Sequence, residues 1–355
     1  VAASYDVTAI ERTPAHEATP ENAEAVSQPL TLGLGAARLA LPAGRSLVDV
    51  AVSAGTLVSV GVFGPVDALL AFDVADRDPG STFQSPSSLD EDGRLPKIAS
   101  FRVPLGVEVL RAVIDVTRPV ELARVSEDPS EPQTSAFQGL FEHGTARAMP
   151  TRPLIGLPSP RSRDDGYLLG APGRYLFTRV DVARVVLAAL RQTRVRFRRD
   201  PIAVGDISQW DGVRPASDLG SPRHISHEGG RDLDVALPAN DGSPSTLRSH
   251  CTGVLVEADR YVCEPGTSRG IDALRLAYFL GLLIDASPET PVTRVFTDDA
   301  FIREIQSATE QLKARRWIKD AGYEALGQDG VLRASAWHTD HVHVRFGGEP
   351  GRSPW

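Results

Sequence analysis

From Leu30 onward, short runs rich in Val and Leu alternate with breaks of Gly, Pro and Asp: Leu30 to Leu41, Ser46 to Phe63, Val66 to Val74, Lys97 to Val103, Val107 to Val116 and Val120 to Val125. Several short strands at such spacing predict a small β sandwich or barrel over residues 29–125. Residues 1–28 are polar and rich in Ala, Glu, Thr and Pro, which predicts an extended lead without a core. Residues 126–160 carry Pro129, Pro132, Pro150, Pro153, Pro158 and Pro160. So many prolines leave few backbone donors and predict a linker. From 161 to 355 the pattern becomes mixed. Val182, Val185, Val186, Ala189 and Leu190 share one face of a helix over Asp181 to Gln192, with Asp181 as its N-cap. Ile202 to Ser208 and Val292 to Thr297 read as strands, and Asp299 to Trp317 as an amphipathic helix. Ile271 to Ala286 is apolar on most sides and predicts a buried helix. The expected fold class is α+β, a mixed domain with a central antiparallel sheet preceded by a small β-rich domain.

Two further stretches alternate with a period of two. In Arg231 to Leu237 the apolar Leu233, Val235 and Leu237 face one way, so Asp232 and Asp234 share the other face. In His341 to Phe346, Val342, Val344 and Phe346 oppose His341, His343 and Arg345. If these strands are neighbours, carboxylates and imidazoles meet in a partly buried place, which is costly without partners. A bound cation removes that cost. Five of the eight histidines lie in Ser221–Pro238 and Ala336–Phe346. A catalytic zinc ion takes three ligands from such residue types and keeps a fourth position open.

The spacing resembles that of the penicillin-insensitive murein endopeptidases, within the lysostaphin and D-Ala-D-Ala metallopeptidase group. His227 and Asp234 have that family's gap of six residues, and His341-Val342-His343 supplies its distant His-x-His. His224 and His338 match its two additional histidines, each three residues ahead. The likeness extends over about Arg161 to Gly347, including Asp165-Gly166-Tyr167; nothing before Arg161 shares it, and no Cys follows the last strand. It implies Zn2+ held by His227, Asp234 and His343, with water in the open position. His341 is then a catalytic group that moves a proton or stabilises an oxyanion, and His338 and His224 lie close to the substrate or orient ligands. Asp232 and Asp340 are expected to accept the spare ring N–H of a histidine. The implied reaction is hydrolysis of peptidoglycan cross-links, D-alanyl to diaminopimelate. Two alternatives are a D-Ala-D-Ala carboxypeptidase or dipeptidase, and a non-catalytic cell-wall-binding protein that keeps zinc.

Glu228 follows a histidine, but Arg231 stands where the His-Glu-x-x-His motif needs its second one, so the zincin general-base role does not apply. His16, His143 and His250 carry no such context. The chain has 355 residues, 41% of them hydrophobic, enough for two cores. A net charge of -8 argues against nucleic acid, whose binding depends on Lys and Arg. The basic run Arg194 to Arg199 reads as a solvated strand or helix end. No apolar run reaches the roughly 18 residues of a transmembrane helix. The N-terminus has neither an initiator Met nor a signal-peptide core, so an export signal is expected to be absent from this chain. Cys251 and Cys263 either form a disulfide, contributing about 3 kcal/mol in an exported protein, or remain buried thiols. The expected location is periplasmic or extracellular. The expected partner is peptidoglycan, with a wall or protein partner for the β-rich domain.

Overall fold

A computed structural model describes residues 29–34, 38–65, 68, 70–76, 96–127, 154–241, 245–257, 260–286 and 291–347. The lead predicted over 1–28 and most of the predicted linker lie outside the described residues. In the first half, the strands are β1 (Leu30–Leu32), β2 (Arg38–Leu41), β3 (Gly44–Ala51), β4 (Leu57–Phe63), β5 (Leu70–Asp76), β6 (Lys97–Arg102), β7 (Val109–Val116) and β8 (Val120–Glu127). They form two four-stranded sheets, ordered β1-β3-β7-β5 and β2-β8-β4-β6. Alternation decides their inner faces: Val48, Val50, Leu110 and Ile114 from one sheet meet Val60, Val62, Phe101 and Leu122 from the other in one core. The long apolar runs 30–41 and 46–63 each break into two strands that belong to different sheets.

The second half comprises β9 (Leu154–Gly156), β10 (Tyr167–Leu169), β11 (Phe177–Arg179), α1 (Val180–Phe197), β12 (Ile202–Val204), β13 (Asp232–Ala236), β14 (Val254–Glu257), β15 (Arg260–Cys263), α2 (Ala273–Ala286), β16 (Val292–Thr297), α3 (Asp299–Ala314), α4 (Asp320–Leu326), β17 (Leu332–Ala334) and β18 (His341–Phe346). Six strands make one sheet in the order β10-β12-β13-β18-β16-β17. Its four central strands are antiparallel and its two edge strands pair in parallel. The fold is therefore α+β. Leu233, Val235, Val295, Val342 and Val344 share a core with Leu190 of α1, Phe279 of α2, and Phe301 and Ile305 of α3. With the helices packed on that face, the period-two rule turns Asp232, Asp234, His341 and His343 to the other. Among the described residues no helix is long and apolar enough to cross a membrane.

Two local expectations change. Asp181 is not the N-cap of α1: Arg179, in extended backbone, occupies that position with no side-chain cap bond. Strand β11 runs directly into the helix, and Asp181 in the first turn accepts from the Arg179 guanidinium at 3.0 Å. The helix continues to Phe197, placing Arg194 and Arg196 in its last turn, where the helix dipole favours cations.

The other change concerns the end of the predicted linker. Leu154, Ile155 and Gly156 form a buried strand although prolines flank them. β9 pairs with β11 and also packs on the outer face of the second sheet, where the small side chains Ser59, Ser100 and Ser126 permit close approach. Their hydroxyls form a chain, Ser126 to Ser59 at 2.9 Å and Ser59 to Ser100 at 2.8 Å. The Ser159 amide donates to the Ser100 carbonyl at 2.8 Å. A Cβ on Gly156 would lie 1.9 Å from Ser100 Oγ. Gly156→Ala is expected to destabilise the protein by about 1–3 kcal/mol, the usual cost of overpacking. Thermal melting of the variant against wild type measures it.

Candidate metal centre

The antiparallel register of β13 and β18 sets Asp234 directly opposite His343, Asp232 opposite Arg345 and Ala236 opposite His341. Three donor atoms then converge. His227 Nε2 lies 3.0 Å from His343 Nδ1, and both lie 3.2 Å from Asp234 Oδ1. Ligands at about 2.0–2.1 Å around a tetrahedral zinc stand roughly 3.3–3.4 Å apart, so these spacings fit one ion. Asp234 Oδ1 is buried and takes no well-aligned hydrogen bond. An acceptor left so costs free energy unless a cation meets it.

Each imidazole is held by its other nitrogen. His227 Nδ1 donates to the Ile207 carbonyl at 2.9 Å, and His343 Nε2 donates to Asp232 Oδ1 at 2.8 Å. Both tautomers thereby leave a lone pair facing Asp234. A second triad, His224, His227 and Asp234, also has metal-ligand spacing. His224 Nε2, however, is bonded to Asp206 at 2.8 Å and stands 3.9 Å from Asp234 Oδ2. The set completed by His343 is the tighter one, with His224 beside it, its ring 4.0 Å from that of His227.

The loop that carries His227 is locally strained. His227 has φ 57°, in the left-handed region, and Gly229 and Gly230 follow it there. The His227 amide donates to Asp232 Oδ2 at 3.0 Å, tying the loop to β13. The Gly230 carbonyl accepts from the Arg179 amide at 3.2 Å and from Thr178 Oγ1 at 2.9 Å. A Cβ on Gly230 would come within 2.7 Å of the Thr178 and Arg179 backbone. Backbone cannot rotate aside as a side chain can. Gly230→Ala is therefore expected to displace His227 and to lower affinity for any divalent ion held there by about tenfold or more, of the order seen when ligand orientation is lost; metal titration with a competing chelator reads the change.

His341 and His338 complete the cluster, and their surroundings move their pKa values in opposite directions. His341 Nε2 lies 3.6 Å from Asp234 Oδ1, and its Nδ1 donates to Asp340 Oδ1 at 2.6 Å. Burial opposes its proton, but Asp234 and Asp340 outweigh that and raise its pKa. Burial lowers the pKa of His338 to about 4, aided by the charge of His341. Its Nδ1 donates to the Ala336 carbonyl at 2.5 Å. His338 is thus neutral near pH 7 with Nε2 as an acceptor, beside a His341 that holds its proton more tightly than an ordinary imidazole, the rings 4.8 Å apart. With no cation between them, burial of His343 is outweighed by the neighbouring carboxylates Asp232 and Asp234, which raise its pKa to about 9. Burial alone would raise the Asp234 carboxyl, but His227 and His341 hold it well below the usual carboxylate range.

Asp206 is a site residue that sequence reasoning missed. It lies next to β12, is 8% exposed, and accepts from His224 and, at 3.3 Å, from Arg223. Its one signal is an acid two residues after the apolar run Ile202 to Val204. Glu228 points instead to Arg214, at 3.4 Å. His250 packs in the core against Phe301, while His16 and His143 lie outside the described residues. Cys251 and Cys263 form a disulfide across 5.4 Å between Cα atoms. It is linked to the cluster through Asp298: the Cys263 amide donates to Asp298 Oδ2 at 3.0 Å, and the Asp298 amide donates to the His338 carbonyl at 3.2 Å.

No family model matches this chain, and no curated protein matches it. Among solved structures, the chain is similar to PliG from Aeromonas hydrophila, described as a periplasmic lysozyme inhibitor of g-type lysozyme. The two are 18% identical, the match covers 27% of this chain and 95% of that one, and the TM-score is 0.17.

Proposed function

We propose that this chain is a zinc-dependent peptidase that hydrolyses peptide cross-links of peptidoglycan, as a murein endopeptidase does. The observation that carries the reading is the convergence of His227 Nε2, Asp234 Oδ1 and His343 Nδ1 within 3.0–3.2 Å, with the carboxylate oxygen buried and lacking a hydrogen bond. These three would hold the ion, and when bound it supplies the positive charge that polarises an amide carbonyl and acidifies water near neutral pH. The rest falls to the side chains. Asp340 fixes His341 with Nε2–H turned towards Asp234, where it can stabilise an oxyanion or pass a proton to a leaving amine. With a cation beside Asp234, Asp340 is the carboxylate left to hold that proton. Neutral His338 offers the complementary acceptor. Two titratable neighbours driven apart in this way are a common acid and base arrangement. The substrate assignment rests on the resemblance in the spacing of the six histidine and aspartate positions.

The disulfide supports an oxidising compartment, and with it a periplasmic or extracellular location. Elemental analysis of the purified protein together with digestion of cross-linked muropeptide dimers tests the proposal. Stoichiometric zinc and release of monomers are expected. Cleavage only of free D-Ala-D-Ala ends or dipeptides would assign the carboxypeptidase or dipeptidase alternative, and sacculus binding without release of fragments would assign a non-catalytic wall-binding role.

A further inference from the structure

Trp337 is 53% exposed and sits one residue before His338. Its φ is 69°, a conformation a bulky residue keeps only where its surroundings impose it. Here they are visible. The Trp337 amide donates to the Tyr261 carbonyl at 2.7 Å, and the two rings stack with centroids 4.6 Å apart and planes tilted by 37°. Tyr261 lies on β15, two residues from the disulfide at Cys263. On its other side Trp337 is followed by His338, whose carbonyl is held by the Asp298 amide at 3.2 Å and whose ring lies 4.8 Å from His341. A tryptophan whose ring rests on Tyr261 and whose backbone is held on both sides therefore leaves its indole half exposed, one residue from His338 of the cluster. The stack on Tyr261 covers one side of the ring, yet about half of a large apolar residue stays in water in a strained backbone conformation.

We propose that Trp337, backed by Tyr261, is a saccharide-stacking subsite that takes a pyranose ring of the glycan strand. The choice of ligand rests on the peptidase reading above. Aromatic faces bind flat, C–H-rich surfaces or cations. The stem peptides of murein present methyl groups, carboxylates and amines, whereas its broad C–H-rich faces belong to the amino sugars. Among the described residues no guanidinium or ammonium stacks on either ring, so the platform is open to a neutral face. The consequence is that the enzyme prefers cross-links still attached to glycan over free peptide dimers.

The test uses the full chain and a peptide-free tetrasaccharide of alternating N-acetylglucosamine and N-acetylmuramic acid, so it does not depend on turnover. Saturation-transfer NMR on wild type is expected to show aromatic-to-sugar transfer. Calorimetry is expected to show binding that Trp337→Ala weakens about tenfold or more, as truncation of an interface Trp does, and that Trp337→Phe largely keeps. Cleavage of sugar-free peptide dimers is expected to fall less than sugar affinity does in Trp337→Ala. Absence of sugar binding by wild type, or equal binding by Trp337→Ala, overturns the proposal. Loss of activity on sugar-free dimers with sugar binding intact also overturns it, because Trp337 would then contact peptide. Sugar binding through Trp337 in a protein that cleaves no cross-link upholds the subsite and sinks the peptidase reading instead.

Discussion

Alanine at position 343 is expected to remove the metal and the cross-link cleavage together. His343 supplies one of three converging donor atoms, and its ring bridges two buried carboxylates, Asp232 and Asp234. What remains is His227 and Asp234 with His224, whose Nε2 is bonded to Asp206 instead, so zinc is not expected to survive dialysis. Without the ion, the stabilisation it supplies to the reacting carbonyl is lost, several kcal/mol or about 10³-fold and more in rate. Elemental analysis should fall from about one zinc per chain to near none, and muropeptide dimers should remain intact. Circular dichroism separates this from unfolding, since Val342 and Val344 still anchor β18 in the core. Cleavage by a metal-free His343→Ala protein would refute the mechanism.

Much of this centre was legible because strands have a period of two. The alternation in Arg231–Leu237 and His341–Phe346 puts Asp234 and His343 on the polar face of their strands, whatever their partners. Register is not written in either segment alone. That Asp234 opposes His343 depends on pairing across 109 positions of chain (343 − 234), which local pattern does not encode. His227 contributes from a loop, where its left-handed backbone and the close approach of Gly230 to β11 are tertiary facts. Asp206 was hidden for a similar reason: its role appears only when His224 is folded over it. The buried strand at Leu154–Gly156 was masked by surrounding prolines, because linker composition says nothing about an apolar triplet that another surface covers. The sandwich strands were visible as apolar runs, but two runs concealed turns after which the chain changes sheet.

Asp232 is expected to matter nearly as much as a ligand although it contributes no atom to the converging triad. It is 1% exposed, and one carboxylate serves three donors: His343 Nε2 at 2.8 Å and Arg345 Nε at 2.7 Å on Oδ1, and the His227 amide at 3.0 Å on Oδ2. It therefore orients both histidines at once. Burial alone would raise its pKa, but His343 and Arg345 hold it well below the ordinary carboxylate value. Asp232→Ala leaves a partly buried guanidinium and a buried imidazole without their acceptor, at a cost of about 3 kcal/mol, the lower end for a broken buried pair because Arg345 still reaches water. Asp232→Asn keeps the shape, but its amide turns a donor towards either the His227 amide or the Arg345–His343 side. In both variants zinc affinity should fall by about 10–100-fold. The sign of the pH effect follows in metal-stripped protein. A depressed carboxyl stabilises the fold above its unfolded pKa of about 4, and that contribution is lost as pH falls through the lower folded value. A His raised to about 9 stabilises it fully below its unfolded pKa of about 6.5 and ceases to do so as pH rises through 9. The difference in melting temperature between wild type and Asp232→Asn should then be largest from about pH 4 to 6.5 and shrink on either side. A difference that stays constant from about pH 3 to 10 would mean that Asp232 acts through shape alone, without the His343 charge.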